Sequence, residues 1–185
     1  MQHAARAASV EGLRGITIGT LASELGLSKS GLIAHFGSKE ELQIQVLEKA
    51  AQRFQDEVIA PAFRAKRGEP RVRALFERWI EWIASSSAPG GCVFVSASVE
   101  LDDRAGKPRD YLVESQRLLL DTVARSAQIA KDEQHFRSDL DTGQFAYEFF
   151  ATVLGFHFWK RLLRDPEAGS RAREAFERLI ASAHA

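Results

Sequence analysis

The sequence predicts an all-α protein, and three observations carry that expectation. Apolar residues recur at helical spacing along most of the chain, only five prolines interrupt its 185 residues, and no stretch alternates apolar with polar residues between regularly spaced turn signals. About nine helices are expected.

Up to about residue 50 the chain reads as short helices separated by glycine. The first runs from Gln2 to Val10 and stops at Glu11-Gly12. The second, from Ile18 to Leu25, has Thr17 as N-cap and carries Ile18, Leu21, Ala22 and Leu25 on one face. Gly26 ends it, because glycine tolerates the left-handed conformation of a helix C-terminus. Ser28 caps a third helix from Lys29 to His35, with Leu32 and Phe36 pointing inward at i and i+4. Ser38 followed by Glu41 three residues later is a capping box, which launches a fourth helix to about Ala60, where Pro61 must break or kink it.

Longer helices follow. Beyond Pro70, the stripe Val72, Leu75, Phe76, Trp79, Ile80 and Ile83 defines an amphipathic helix, closed by Ser85-Ser86-Ser87 and Pro89-Gly90-Gly91. A short apolar helix spans about Cys92 to Leu101, and after the Gly106-Lys107-Pro108 turn another runs from Tyr111 to about Lys131. Asp141 or Thr142 caps the next, which reaches about Arg164 before Asp165-Pro166. The last covers about Glu167 to Ala183, with Ala172, Ala175, Phe176, Leu179 and Ile180 inward.

The helix at 142–164 has more apolar surface than one core requires. At about 100° per residue, its apolar side chains sweep roughly 220°, whereas a surface helix needs a stripe of about 100°. A second copy of the chain packed about a two-fold axis would bury the excess, with Phe150, Leu154, Phe158 and Phe176 as the expected dimer face. A central helix surrounded by its own domain is the alternative.

Composition excludes several classes. Lys plus Arg and Asp plus Glu both number 25, so no overall basic field advertises nucleic acid or an anionic membrane. A single cysteine, Cys92, rules out an internal disulfide and fits a reducing cytoplasm. No apolar run approaches the ~18 residues of a membrane span, and the first ten residues lack the pattern of a secretory signal. No motif for acyl transfer, metalloproteolysis or phosphate binding is present, so neither an enzyme nor a cofactor is expected. Cys92 reads as a small buried hydrophobe, and Glu100, Asp102 and Asp103 as a solvated loop without the histidine partner a metal site would need.

Residues 17–36 have the spacing of a helix-turn-helix: a capped two-turn helix, a glycine turn, then a short helix exposing Lys29, Ser30, Ile33, Ala34 and His35. Many folds contain two such helices. The residues from Thr17 to Leu42 go further: with the stretch His35-Phe36-Gly37-Ser38-Lys39-Glu40-Glu41-Leu42, they resemble the DNA-binding region of the TetR/AcrR transcriptional regulators. Pro89-Gly90-Gly91-Cys92 and Lys160-Arg161 are weaker matches to the same family.

That resemblance implies a helix-turn-helix DNA-binding domain over residues 1–46 and a helical ligand-binding and dimerisation domain over 47–185. It implies a homodimer, most often a repressor, bound to a palindromic duplex operator and released by a small molecule, with the fourth helix as the lever. The helix from Lys29 to His35 would enter the major groove. There Lys29 would meet a guanine edge or a phosphate, Ser28 and Ser30 would donate to phosphate or base edges, and Gly31 would let the backbone approach. Thr17, Thr20 and Lys39 would hold phosphates that set register. His35 would bond a phosphate or tie its helix to the fourth.

Two departures stand out. Family members commonly place a phosphate-holding tyrosine where this chain has Ile33 and Ala34, and Ile33 can instead meet a thymine methyl. A basic N-terminal arm is also usual, whereas only Arg6 precedes Glu11 here, which implies a shortened start or weaker nonspecific affinity. For the ligand pocket the resemblance points to Phe76, Trp79, Trp82, Phe94, Tyr111, Phe149 and His157. Each of these also fits plain core, and Trp82, at the edge of its helix's apolar stripe, stands apart. The reading that competes with a regulator is a helical ligand-binding or scaffold protein that ignores DNA sequence.

Overall fold

A computed structural model describes residues 2–26, 28–85 and 90–184, with the side chains of residues 2–6, 24 and 25 excepted. Among the described residues there are nine helices and no strand: α1 Gln2–Gly15, α2 Ile18–Leu25, α3 Lys29–Phe36, α4 from Lys39–Phe54 through a π-helical turn Gln55–Ile59 to a last turn Ala60–Ala62, α5 Glu69–Ala84, α6 Val93–Leu101, α7 Lys107–Asp132, α8 Thr142–Arg161 and α9 Ala168–Ala183. The all-α expectation and the helix order hold. The Arg6 and Leu25 side chains and the breaker residues Ser86, Ser87 and Pro89 lie outside the described residues.

Packing divides the chain into two compact units. The first comprises Met1–Arg53 with Ser86–Ser115, the second Phe54–Ser85 with Gln116–Ala185. The packing division falls inside α4, and α6 groups with the N-terminal unit because it packs on α1. In the first unit Leu13, Ile16, Leu21, Leu32, Leu42, Val46 and Ala97 form the core. In the second, the Phe76 ring stacks on Phe176 at 3.9 Å, and Phe149 meets both edge-on at 5.6 and 5.7 Å.

Local chemistry sets the helix ends. Gly26 takes the left-handed φ of 64° and donates its N–H to the Ala22 carbonyl. Asp141 accepts from the N–H groups of Gly143 and Gln144 at 2.9 and 3.0 Å. Ser38 caps α4 by accepting from Glu41 N at 3.1 Å, but the reciprocal arm of the expected box goes elsewhere. The Ser38 N–H donates to the Phe36 carbonyl, and Glu41 pairs with Lys107 at 3.3 Å. Pro61 does not end α4 at Ala60. The π-helical turn precedes it, closed by a bond from Ala60 N–H to Gln55 O, and the widened register relieves the clash a proline ring makes with the carbonyl four residues back.

Candidate nucleic-acid interface

The helix-turn-helix is built by three caps in succession. Thr20 N donates to Thr17 Oγ1 at 3.0 Å, and Thr17 N donates to Thr20 Oγ1 at 3.0 Å, a reciprocal box formed by two threonines. The Thr20 hydroxyl donates to the Thr17 carbonyl, and the two hydroxyls touch at 3.2 Å. Both hydroxyls are thereby engaged within the cap. What the start of α2 offers to a phosphate is the backbone N–H groups of its first turn, backed by the helix dipole, more than the threonine hydroxyls themselves.

Ser28 caps α3 by accepting from Gly31 N at 3.0 Å, and the Ser30 hydroxyl donates to Ser28 Oγ at 3.3 Å. Leu32 and Phe36 are buried, which fixes the rotation of the helix about its axis. Lys29, Ser30, Gly31, Ile33, Ala34 and His35 are left facing outward, as the sequence periodicity requires. His35 is exposed and edges onto Phe36 at 4.6 Å. Of its two expected roles, the half-buried tie to α4 is therefore not what the structure contains. Lys29 folds back across the first turn of α2, its Nζ 3.8 Å from where a Cβ on Gly19 would stand.

Lys39 is exposed at the first residue of α4, and its Nζ donates to the Arg14 carbonyl at 3.2 Å. That contact belongs to a polar corner the sequence did not reveal. Helix α1 kinks at Gly12, whose φ is 79°, and a fresh turn starts at Leu13. Glu100 of α6 caps that turn: Oε1 accepts from Leu13 N at 3.0 Å and Oε2 from Arg14 N at 2.8 Å. Buried Gln43 of α4 donates to the Leu13 carbonyl at 3.0 Å. Glu100, expected in a solvated loop, and Gln43 thus position the entry to the reading helices. No local pattern announces either, because their partners lie 87 and 30 residues away.

In the second unit, Phe76, Trp79, Trp82 and Phe149 are buried and linked through rings: Trp79 lies 6.0 Å from Phe149, and Phe54 meets Trp79 and Trp82 edge-on at 4.9 and 5.1 Å. His157 is half-buried, and burial, aided by Arg161, lowers its pKa. Phe94 and Tyr111 belong to the first unit, so the expected pocket set is not gathered in one body. Phe176, expected both inward on the last helix and on the dimer face, is a core residue here, 2% exposed and stacked on Phe76. Phe150 is half-buried beside Trp79 at 5.9 Å, whereas Leu154 and Phe158 are exposed. Cys92 is buried, which pushes its thiol up to about 11 and removes the reactive thiolate. Among the described residues no His, Cys, Asp and Glu cluster can hold a metal ion, and no helix is long and apolar enough to cross a membrane.

Comparison with known proteins agrees with this geometry. Residues 1–46 match the model of bacterial regulatory proteins of the tetR family, and residues 68–176 match the tetracyclin repressor-like C-terminal domain. No curated protein matches the chain. Among solved structures, a TetR-family regulator from Cytophaga hutchinsonii superposes with a TM-score of 0.85 at 19% identity, covering 97% of this chain and 90% of that one. A TetR regulator from Chloroflexus aurantiacus gives 0.83 at 22% identity over 97% and 89%. AibR, solved in complex with isovaleryl coenzyme A and operator DNA, gives 0.75 at 18% identity over 96% and 94%. The helix-turn-helix with its outward-facing α3, continued by a matching C-terminal domain over more than half the chain, places this protein in the TetR family of DNA-binding transcriptional regulators, which are not enzymes.

Proposed function

We propose that two copies of this chain bind one roughly palindromic operator as a repressor in the cytoplasm, and that a small molecule held in the second unit releases them. The observation that carries the reading is the orientation of α3. Buried Leu32 and Phe36 turn Lys29, Ser30, Ile33 and His35 outward together, on a helix capped at both ends. Paired copies of α3 would enter successive major grooves about one turn, ~34 to 36 Å, apart.

Roles follow from the groove and the geometry. Ile33, half exposed and unable to bond a phosphate, suits a thymine methyl, while Ser30 and Lys29 suit base edges or the adjoining backbone. Lys29, folded over Gly19, would share a phosphate with the first-turn amides of α2. Gly31 leaves room for backbone approach, and Lys39 would add a second phosphate contact from the start of α4. Thr17, Thr20 and Ser28 serve through the caps that hold these donors in place.

The second copy is supported by a stripe along α8 and its C-cap residue Leu162. Tyr147, Ala151, Leu154, Phe158 and Leu162 recur at i, i+4, i+7, i+11 and i+15, and all are exposed, while Phe145, Phe149, Val153 and Phe156 fill the opposite face. A contiguous apolar band of that kind on a helix marks an interaction surface. For the ligand response, a neighbour crystallised with both a coenzyme A ester and operator DNA supports the class of mechanism. An effector that shifts the population from 1:99 to 99:1 must favour the non-binding form by about 5.5 kcal/mol.

Selection of bound sequences from random duplex DNA at fixed salt tests the reading. A two-fold symmetric motif with half-sites about one turn apart is expected, and a pool that stays random after repeated rounds would exclude sequence-specific binding.

A further inference from the structure

We propose that the second unit takes an uncharged, largely apolar ligand whose single hydrogen-bond acceptor is held by the Trp82 indole, beside the π-helical turn of α4. The inference rests on the ligand-responsive reading above and names the chemical class of its effector.

Two independent features converge on the spot. Trp82 is buried, and its Nε1 is shut off from solvent with no acceptor among the described residues. An indole N–H can only donate, and buried donors are nearly always paired in folded proteins, so an orphan marks a place where a partner arrives. The second feature is the widened turn Gln55–Ile59, which follows directly on Phe54 and packs against α5. Such turns are insertions into a helix, and they recur at functional sites. Phe54 joins the two, its ring edge-on to Trp82 at 5.1 Å and to Trp79 at 4.9 Å, with Phe150 reaching Trp79 at 5.9 Å.

The surroundings decide the ligand's charge. Phe54, Trp79 and Phe150 offer no counter-ion, and Ser126, the buried polar residue described in this unit, already donates to the Thr122 carbonyl at 2.8 Å. Arg71 also has a buried Nε without an acceptor among the described residues, but eleven residues along α5 separate it from Trp82, about 16 Å at 1.5 Å per residue. Its guanidinium lies over the Phe63 ring instead. A carboxylate or phosphate held through Trp82 and these rings would be desolvated with only the indole N–H to meet its charge. A ketone, ester, amide or aryl ether oxygen would satisfy the donor and leave its apolar body against the rings.

Three probes of matched shape separate the possibilities in the full chain: 2-acetylnaphthalene, with a neutral acceptor; 2-ethylnaphthalene, with none; and 2-naphthoate, which is charged. Indole N–H resonances are followed by proton-nitrogen correlation spectra, with Trp82 assigned by Trp82→Phe. The acetyl compound is expected to move the Trp82 indole proton downfield and to bind roughly tenfold more tightly than the ethyl compound. In Trp82→Phe that advantage should vanish, and in Trp79→Phe it should remain. Equal binding of acetyl and ethyl probes, preference for the naphthoate, no binding by any probe, or an unmoved Trp82 resonance would each overturn the proposal. Should Trp82→Phe not fold, the wild-type shift and the acetyl-to-ethyl ratio still decide. Release of selected operator DNA is measured separately. Binding at Trp82 without release would leave this site standing and sink the ligand-responsive reading, whereas release by a compound that leaves Trp82 unmoved would do the reverse.

Discussion

Glu100 caps the broken first helix at Leu13. Its carboxylate reaches from α6 to accept the Leu13 and Arg14 amides at 3.0 and 2.8 Å, just where the Gly12 φ of 79° interrupts α1. A Cβ on Gly12 would collide with Glu100 Oε1. The kink and the carboxylate therefore define one another, and the polar corner they make also receives Lys39 and Gln43.

A double-mutant cycle tests that pairing. Glu100→Ala should cost about 0.5–2 kcal/mol, the range for losing a helix cap, read as a lower urea midpoint at unchanged slope. Gly12→Ala should cost more, because it adds a clash to an unfavourable positive φ. Combined, the two should cost less than their sum, since removing the carboxylate makes room for the methyl group. Strict additivity would mean that the corner relaxes away from Glu100 without consequence.

Lys39 carries two expectations that one titration separates. As a phosphate contact, Lys39→Ala should weaken DNA binding about equally across sequences and lower the salt slope by roughly one. As a ligand of the Arg14 carbonyl alone, it would shift the urea midpoint and leave the slope untouched. The first outcome is expected, because a single exposed hydrogen bond at 3.2 Å contributes little against competing water. Lys29→Ala should in addition relax sequence preference, measured by repeating the selection with the variant.

How much of this was legible in the sequence depends on the reach of each interaction. Thr17, Gly26, Ser28 and Asp141 act within four residues of themselves, and all four stand where helix chemistry puts them. The rotation of α3 was equally readable, since Leu32 and Phe36 share one face. Ser38-Glu41 shows the limit: the pattern was right for a helix start, yet Lys107 outbid the Ser38 amide for the Glu41 carboxylate from 66 residues away. Glu100 and Gln43 were invisible for the same reason. The pattern along α9 turns Phe176 inward with Ala172, Leu179 and Ile180, yet Phe176 also stood with the expected dimer face; that its ring meets Phe76 is decided by packing between helices, not by the pattern along one. The π-helical turn likewise follows from how α4 accommodates Pro61, a choice among break, kink and widened register that composition leaves open.

Phe158 and Phe176 should respond oppositely to substitution. Phe158 is 50% exposed on the α8 stripe, so Phe158→Glu should leave the folded unit intact and produce monomers in size-exclusion chromatography with light scattering. Phe176 is 2% exposed between Phe76 and Phe149, so Phe176→Ala should cost about 3–5 kcal/mol through the cavity it leaves. A dimer that survives Phe158→Glu would remove the α8 stripe from the interface.

His157 should make stability fall in mild acid. Burial, and secondarily the Arg161 charge, holds its folded pKa below the ordinary 6.5, so on acidification the unfolded chain takes up a proton before the folded one does. Stability then rises with pH wherever the unfolded state binds more protons. The contribution is fully present above about pH 6.5 and is lost as pH falls through the lower folded value. His157→Gln removes the titration while keeping a polar side chain of similar length, so its urea midpoint should change less than that of the wild type between pH 7.5 and pH 5. Parallel pH profiles for the two proteins would show that the half-buried imidazole charges in the folded state at no cost, and that the acid sensitivity of this unit lies in other groups.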